Sequence, residues 1–210
     1  MDAGTPSPPA KRRAALRRIA AALGLLPGAL QAADAPQWGE RFTRNMVSPE
    51  TGLPASFDPS NGTHIAWTAP LGDQTYGSPV IASGRVLVGT NNEVPRDPRR
   101  GGDRGVLMCL DESDGRLRWQ LAVPKLTGDI YLDWPRAGLC SPPTVEGRRV
   151  YVVSNRGELM CLDLDGLENG NDGPFTDEAR LLTPDGEAPV PAAAPDRSEE
   201  RRVGKECRSR

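Results

Sequence analysis

The chain has 210 residues, with 26 basic and 28 acidic side chains, one histidine and four cysteines, for a formal charge of −2. At 37% hydrophobic residues it can bury one or two cores, and its 23 glycines and 21 prolines favour turns over long helices. One histidine, with no paired cysteines, leaves a zinc centre and a Ser–His triad without support.

Residues Lys11, Arg12, Arg13, Arg17 and Arg18 form a basic block, and Ile19 to Leu30 follow as an apolar run broken by Gly24, Pro27 and Gly28. Small residues come next, in Gln31-Ala32-Ala33-Asp34-Ala35. That order predicts a signal peptide over 1–32, cut after Ala32 or Ala33; a cut after Ala35 would put Pro36 first. The apolar run is about a dozen residues, too short to cross a bilayer as a helix. No transmembrane segment is expected, and the mature chain is placed in the periplasm or outside the cell. Residues 33–57 form an N-terminal extension.

Beyond it, short β-branched runs lie between Gly, Pro, Asn and Asp, and two segments repeat. The first runs from Gly77 to Asn91 with a turn at Gly84, the second from Cys140 to Asn155 with a turn at Gly147. Each is strand, turn, strand, followed by a third strand, Val106 to Asp111 in one repeat and Glu158 to Asp163 in the other. Gly84 to Cys109 spans 25 positions and Gly147 to Cys161 spans 14. The charged stretch Glu93 to Asp103 accounts for the difference as a loop. Trp67 to Ser78 spans 11 positions and Trp119 to Ser141 spans 22, the excess lying in Leu126 to Ala137. A fourth strand is expected over Arg116 to Gln120, with Leu117 and Trp119 on one face, and Asp58 to Trp67 is similar to it. One such sheet cannot bury both faces alone, so a stack of sheets is expected.

The residues Cys109-Leu110-Asp111, Asp114-Gly115-Arg116 and Trp119 resemble the tryptophan-docking repeat of quinoprotein-type (PQQ-like) β-propellers. In that family the repeat reads Ala, any residue, Asp, two residues, Thr-Gly, then Trp four positions after the Gly. Cys109 and Asp114 depart from it. Asp58, Gly62 and Trp67 match with a displacement of one, and Asp163 and Gly166 match without a following Trp, since Asn169 to Pro174 interrupts. Gln37-Trp38-Gly39 also resembles the opening of exported members. The resemblance implies an all-β chain, an incomplete β-propeller of four-stranded blades with about two blades present over residues 58–180. It gives Asp58, Gly62, Trp67, Asp111, Gly115, Trp119, Asp163 and Gly166 a role in docking blades together. Residues 181–196 read as a Pro/Ala-rich linker. Residues 197–210, RSEERRVGKECRSR, resemble a translated sequencing adapter, so the chain is expected to be an N-terminal fragment of a protein that continues beyond Asp196.

The leader holds five basic residues and one acidic, and residues 197–210 hold six and three, leaving 33–196 with fifteen basic and twenty-four acidic, a net charge of −9. A chain this acidic repels phosphate backbones, so nucleic acid is not an expected partner. Cys109 and Cys161 read as small buried residues, and Cys140 and Cys161 as too far apart for a disulfide, on first and third strands about 9–10 Å apart. The acidic run Asp163 to Asp172 fits no EF-hand spacing and reads as a turn. The insertion bearing Asp129, Tyr131, Asp133, Trp134 and Arg136 is the candidate recognition loop for an unknown protein or small-molecule ligand.

No catalytic, cofactor-binding or metal-binding residue is assignable. The expected function is a non-catalytic exported binding or scaffolding module. The alternative is part of a periplasmic quinone-dependent dehydrogenase, for which pyrroloquinoline quinone and calcium would be the cofactors and whose catalytic residues would lie elsewhere.

Overall fold

In the computed structural model, which describes residues 33–126, Tyr131 and residues 133–166, every regular element is a β-strand. Strand β1 (Val80–Ala82) and β2 (Arg85–Asn91) join through Ser83 and Gly84, both at positive φ, the turn whose twist matches that of a hairpin. Strands β3 (Arg104–Asp111) and β4 (Leu117–Pro124) complete an antiparallel sheet in the order β1-β2-β3-β4. A second antiparallel sheet holds β5 (Thr144–Glu146), β6 (Arg149–Val153) and β7 (Leu159–Asp163) in that order. Sequential strands are neighbours throughout, as in a propeller blade.

Strand alternation gives the first sheet two apolar faces. Val86, Val88, Val106, Met108, Leu110 and Ala122 form one, covered by Trp67, Ala69 and Leu71. Leu87, Leu107, Cys109, Trp119, Leu121 and Val123 form the other, in one core with Val145, Val150, Val152, Met160 and Leu162 of the second sheet and Leu164 just after it. The first sheet is thus buried on both sides, and each fully buried aliphatic side chain contributes about 1.5–3 kcal/mol.

Two details differ from the sequence reading. β4 continues past Gln120 to Pro124, because the run Leu121-Ala122-Val123 is buried on both faces and shows no alternation. The segment Asp58 to Trp67, read as similar to the fourth strand, forms no strand ladder, although Ile65, Trp67, Ala69 and Leu71 alternate as half-buried residues over 65–71. The charged stretch after β2 is a loop, closed on itself. Asp97 is buried and accepts Arg99 N–H at 3.0 Å and Nη2–H at 2.7 Å, while Asn92 Nδ2 donates to Arg100 O and Gly102 O.

Candidate functional site

At the end of the sheets that carries the β3–β4 turn, three turns share one geometry. The carboxylates of Asp58, Asp111 and Asp163 accept the N–H of Ser60, Ser113 and Asp165 at 2.8, 3.0 and 2.8 Å. Each turn then passes through a glycine at positive φ, Gly62, Gly115 or Gly166. Local hydrogen bonding of this kind is why Asp suits these positions. Bonds from Ser60 and Ser113 hold the Asp58 and Asp111 carboxyls below the usual range, with Arg118 and Arg85 adding to the effect at Asp111.

Two of these turns receive an indole. Trp67 Nε1–H donates to Glu112 O at 2.7 Å, and its Cε3 lies 2.4 Å from where a Cβ on Gly115 would sit. Trp119 Nε1–H donates to Leu164 O at 2.9 Å, and its Cγ lies 2.7 Å from the corresponding point on Gly166. Each acceptor carbonyl follows the turn's Asp by one residue. A side chain at either glycine would occupy the ring's place. No atom lies within 4 Å of that point on Gly62.

The opposite end gathers the β2–β3 loop, the connector from β4 to β5 and the residues before β1. Here the candidate recognition loop divides. Asp133 is turned inward, its side chain 2% exposed, and accepts Lys125 Nζ–H at 2.6 Å, Leu126 N–H at 3.0 Å and Asn155 Nδ2–H at 2.7 Å. Lys125 also donates to Trp134 O at 2.7 Å. Tyr131 and Trp134 face solvent, at 80% and 66% exposure. Arg136, at φ 63, pairs with Asp73 and, through Nε, with Glu93 at 3.0 Å, and its own N–H donates to Asp103 at 2.7 Å. These carboxylates raise the Arg136 pKa, Asp73 most, and Asn91 and Arg136 lower that of Asp73. Asp129 lies outside the described residues.

Sequence reasoning missed Asn91, the last residue of β2, and Asn155, two residues past the end of β6. Asn91 accepts Asp73 N–H at 3.0 Å and donates to Asp73 and to Arg136 O, the latter at 2.7 Å; Asn155 donates to Pro124 O at 3.2 Å and to Asp133. Both reach the chain leaving the preceding fourth-strand position, and their matched place in the two repeats was the available signal. Nearby, Leu139 N–H donates to Thr90 O at 3.1 Å, and Leu139 O lies 2.2 Å from where a Gly89 Cβ would be, so the connector lies directly on the main chain of β2.

The remaining candidates stand apart. Cys109 and Cys161 are buried, Cys140 is exposed, and none of the three is in a disulfide. Partial desolvation around its sulfur nevertheless pushes the Cys140 thiol up. His64 is exposed, its Nδ1 2.7 Å from Ser56 O. Asp165, in the run read as a turn, pairs with Arg85 at 3.7 Å and with Arg148; residues 167–172 of that run lie outside the described residues. Among the described residues no cluster of three His, Cys, Asp or Glu side chains could hold a metal ion, and no helix is long and apolar enough to cross a membrane.

Compared with known proteins, residues 50–169 match the family model described as "Outer membrane protein assembly factor BamB". No curated protein matches the sequence.

Proposed function

From the premise that the chain belongs to the PQQ-like repeat family of outer membrane protein assembly factor BamB, we propose that it is a non-catalytic binding or scaffolding module that acts after export. The observation that carries this reading is the Asp133 clamp. A buried carboxylate with three donors fixes the root of an inserted loop. Tyr131 and Trp134, on either side of it, are left in solvent. Large aromatic side chains held on a rigid scaffold supply binding area at low entropic cost. Blade docking through Trp67, Gly115, Trp119 and Gly166 is the rigid part of the same proposal. The basic, apolar, small-residue order before Ala33 and the acidic charge of 33–196 support the periplasm or the exterior as its location.

The test places a photo-crosslinking phenylalanine analogue at Tyr131 in the exported protein. A discrete adduct is expected, lost on Trp134→Ser with the melting temperature unchanged. No adduct, or one indifferent to Trp134→Ser, refutes the loop as the binding surface. Fluorescence titration with pyrroloquinoline quinone should not saturate; tight stoichiometric binding would favour the oxidoreductase instead.

A further inference from the structure

Three consecutive residues ahead of the repeats tie both sheets together. Ala35 N–H donates to Ile81 O at 2.8 Å and Ile81 N–H returns to Ala35 O at 3.1 Å, so Ala35 pairs with β1. Pro36 O accepts the N–H of Val145, in β5, at 2.7 Å. The Asp34 carboxylate accepts Ser83 N–H, at 3.1 and 3.2 Å from its two oxygens, at the left-handed corner of the β1–β2 turn. The segment is a strap with one main-chain attachment to the first strand of each sheet. One residue earlier, Ala33 N–H donates to Glu50 Oε1, and the compact unit holding all seven strands begins at Ala33.

We propose that Ala33 is the first residue of the mature chain and that Glu50 is the acceptor for its terminal ammonium. The inference rests on the export reading and sharpens it. The sequence leaves cuts after Ala32 and after Ala33 both open, and the Ala33–Glu50 contact separates them. A cut after Ala35 removes Asp34 and Ala35, and with them the bonds to Ser83 and Ile81. A cut after Ala33 keeps the strap and leaves Glu50 without its donor. A cut after Ala32 keeps every contact and converts the amide N–H at Glu50 into an ammonium. In that step a signal peptidase hydrolyses the Ala32–Ala33 bond. The water oxygen joins the Ala32 carbonyl carbon, and the Ala33 nitrogen leaves as the amine and takes up a proton. An α-amine titrates at about 7.7–8.0 in a free chain, so it is charged at neutral pH, and a charged donor makes a stronger bond to a carboxylate than an amide does. Processing would thus turn an existing amide contact at the head of the strap into a charge-assisted one.

Two measurements on the full-length gene product test this. N-terminal sequencing of the exported chain should begin at Ala33. The rate at which an amine-selective acylating reagent modifies that terminus at neutral pH should rise several-fold on Glu50→Gln, with the amine titrating at lower pH than in the parent. A terminus at Asp34, Ala35 or Pro36 overturns the inference and leaves export standing, whereas Met1 retained in the exported fraction overturns both. A terminus at Ala33 whose reactivity ignores Glu50→Gln removes Glu50 from the proposal and so overturns it.

Discussion

Replacing Gly115 by alanine puts a methyl where the Trp67 ring lies. Gly115 sits at φ 72, so any L side chain there costs about 1–2 kcal/mol in the backbone alone. The added Cβ would also stand 2.4, 2.8 and 3.0 Å from Cε3, Cδ2 and Cζ3 of Trp67, and the turn backbone that fixes it cannot yield as a flexible side chain can. The ring must move, at an overpacking cost of about 1–3 kcal/mol. Its bond to Glu112 O, 2.7 Å long, is then lost, at about 1 kcal/mol more. The total is about 3–6 kcal/mol. Gly84→Ala is the control, since Gly84 has φ 74 with no atom within 4 Å of the Cβ position and should incur the backbone term alone. With about 3–5 °C of melting temperature per kcal/mol for a domain of this size, Gly115→Ala should lose about 10–30 °C and Gly84→Ala about 3–10 °C. Circular dichroism on heating measures both. In a Trp67→Ala background the excess should vanish, leaving Gly115→Ala with the control's cost. Equal losses for the two glycines, or an excess that survives Trp67→Ala, would refute indole docking as the reason for glycine here.

Asp133→Ala should cost about 3 kcal/mol, because it leaves the largely buried Lys125 ammonium without its closest carboxylate; urea unfolding measures it. Trp134→Ser should stay within about 0.5 kcal/mol in the same assay, since that side chain is mostly in solvent. The carboxyls of Asp97 and Asp111 lie below their usual range in the folded chain, the first chiefly through Arg99 and the second through Ser113. Depressed acids contribute stability above their unfolded pKa of about 3.9 and lose it as pH falls through the folded values, so unfolding free energy should fall in that acid window and fall less steeply in Asp97→Asn. Duplex DNA should give no mobility shift at physiological salt, given the −9 charge on residues 33–196.

The hairpins were legible because glycine marks their corners and apolar residues alternate between them. Gly84 and Gly147 gave the β1–β2 and β5–β6 turns, and the spacing from Asp111 to Trp119 gave the third and fourth strands. Periodicity, however, reports which side of a segment is buried and says nothing of its edges. Residues 65–71 alternate as well as any strand and have no ladder, because their inward face is held by side chains packed on the first sheet. The clamp was less legible. Nothing local separates Asp133 from the solvent-facing residues around it; its burial depends on Lys125 and Asn155, eight and twenty-two positions away. Asn155 gave its signal only by comparison with Asn91, and what each binds is set by where the preceding connector runs.

At Gly89 the connector lies on bare main chain, whereas at the far end the sheets are kept apart by an indole. The close packing at the two ends is therefore set by different materials. Near Gly89 two backbones touch, and no substitution can bring them closer. Near Gly166 the distance is that of a tryptophan ring, and a smaller side chain at Trp119 would let the far ends close. Tyr131 and Trp134 belong to the Gly89 end, away from that ring. The surface proposed for binding therefore lies at the end where packing is set by main chain against main chain.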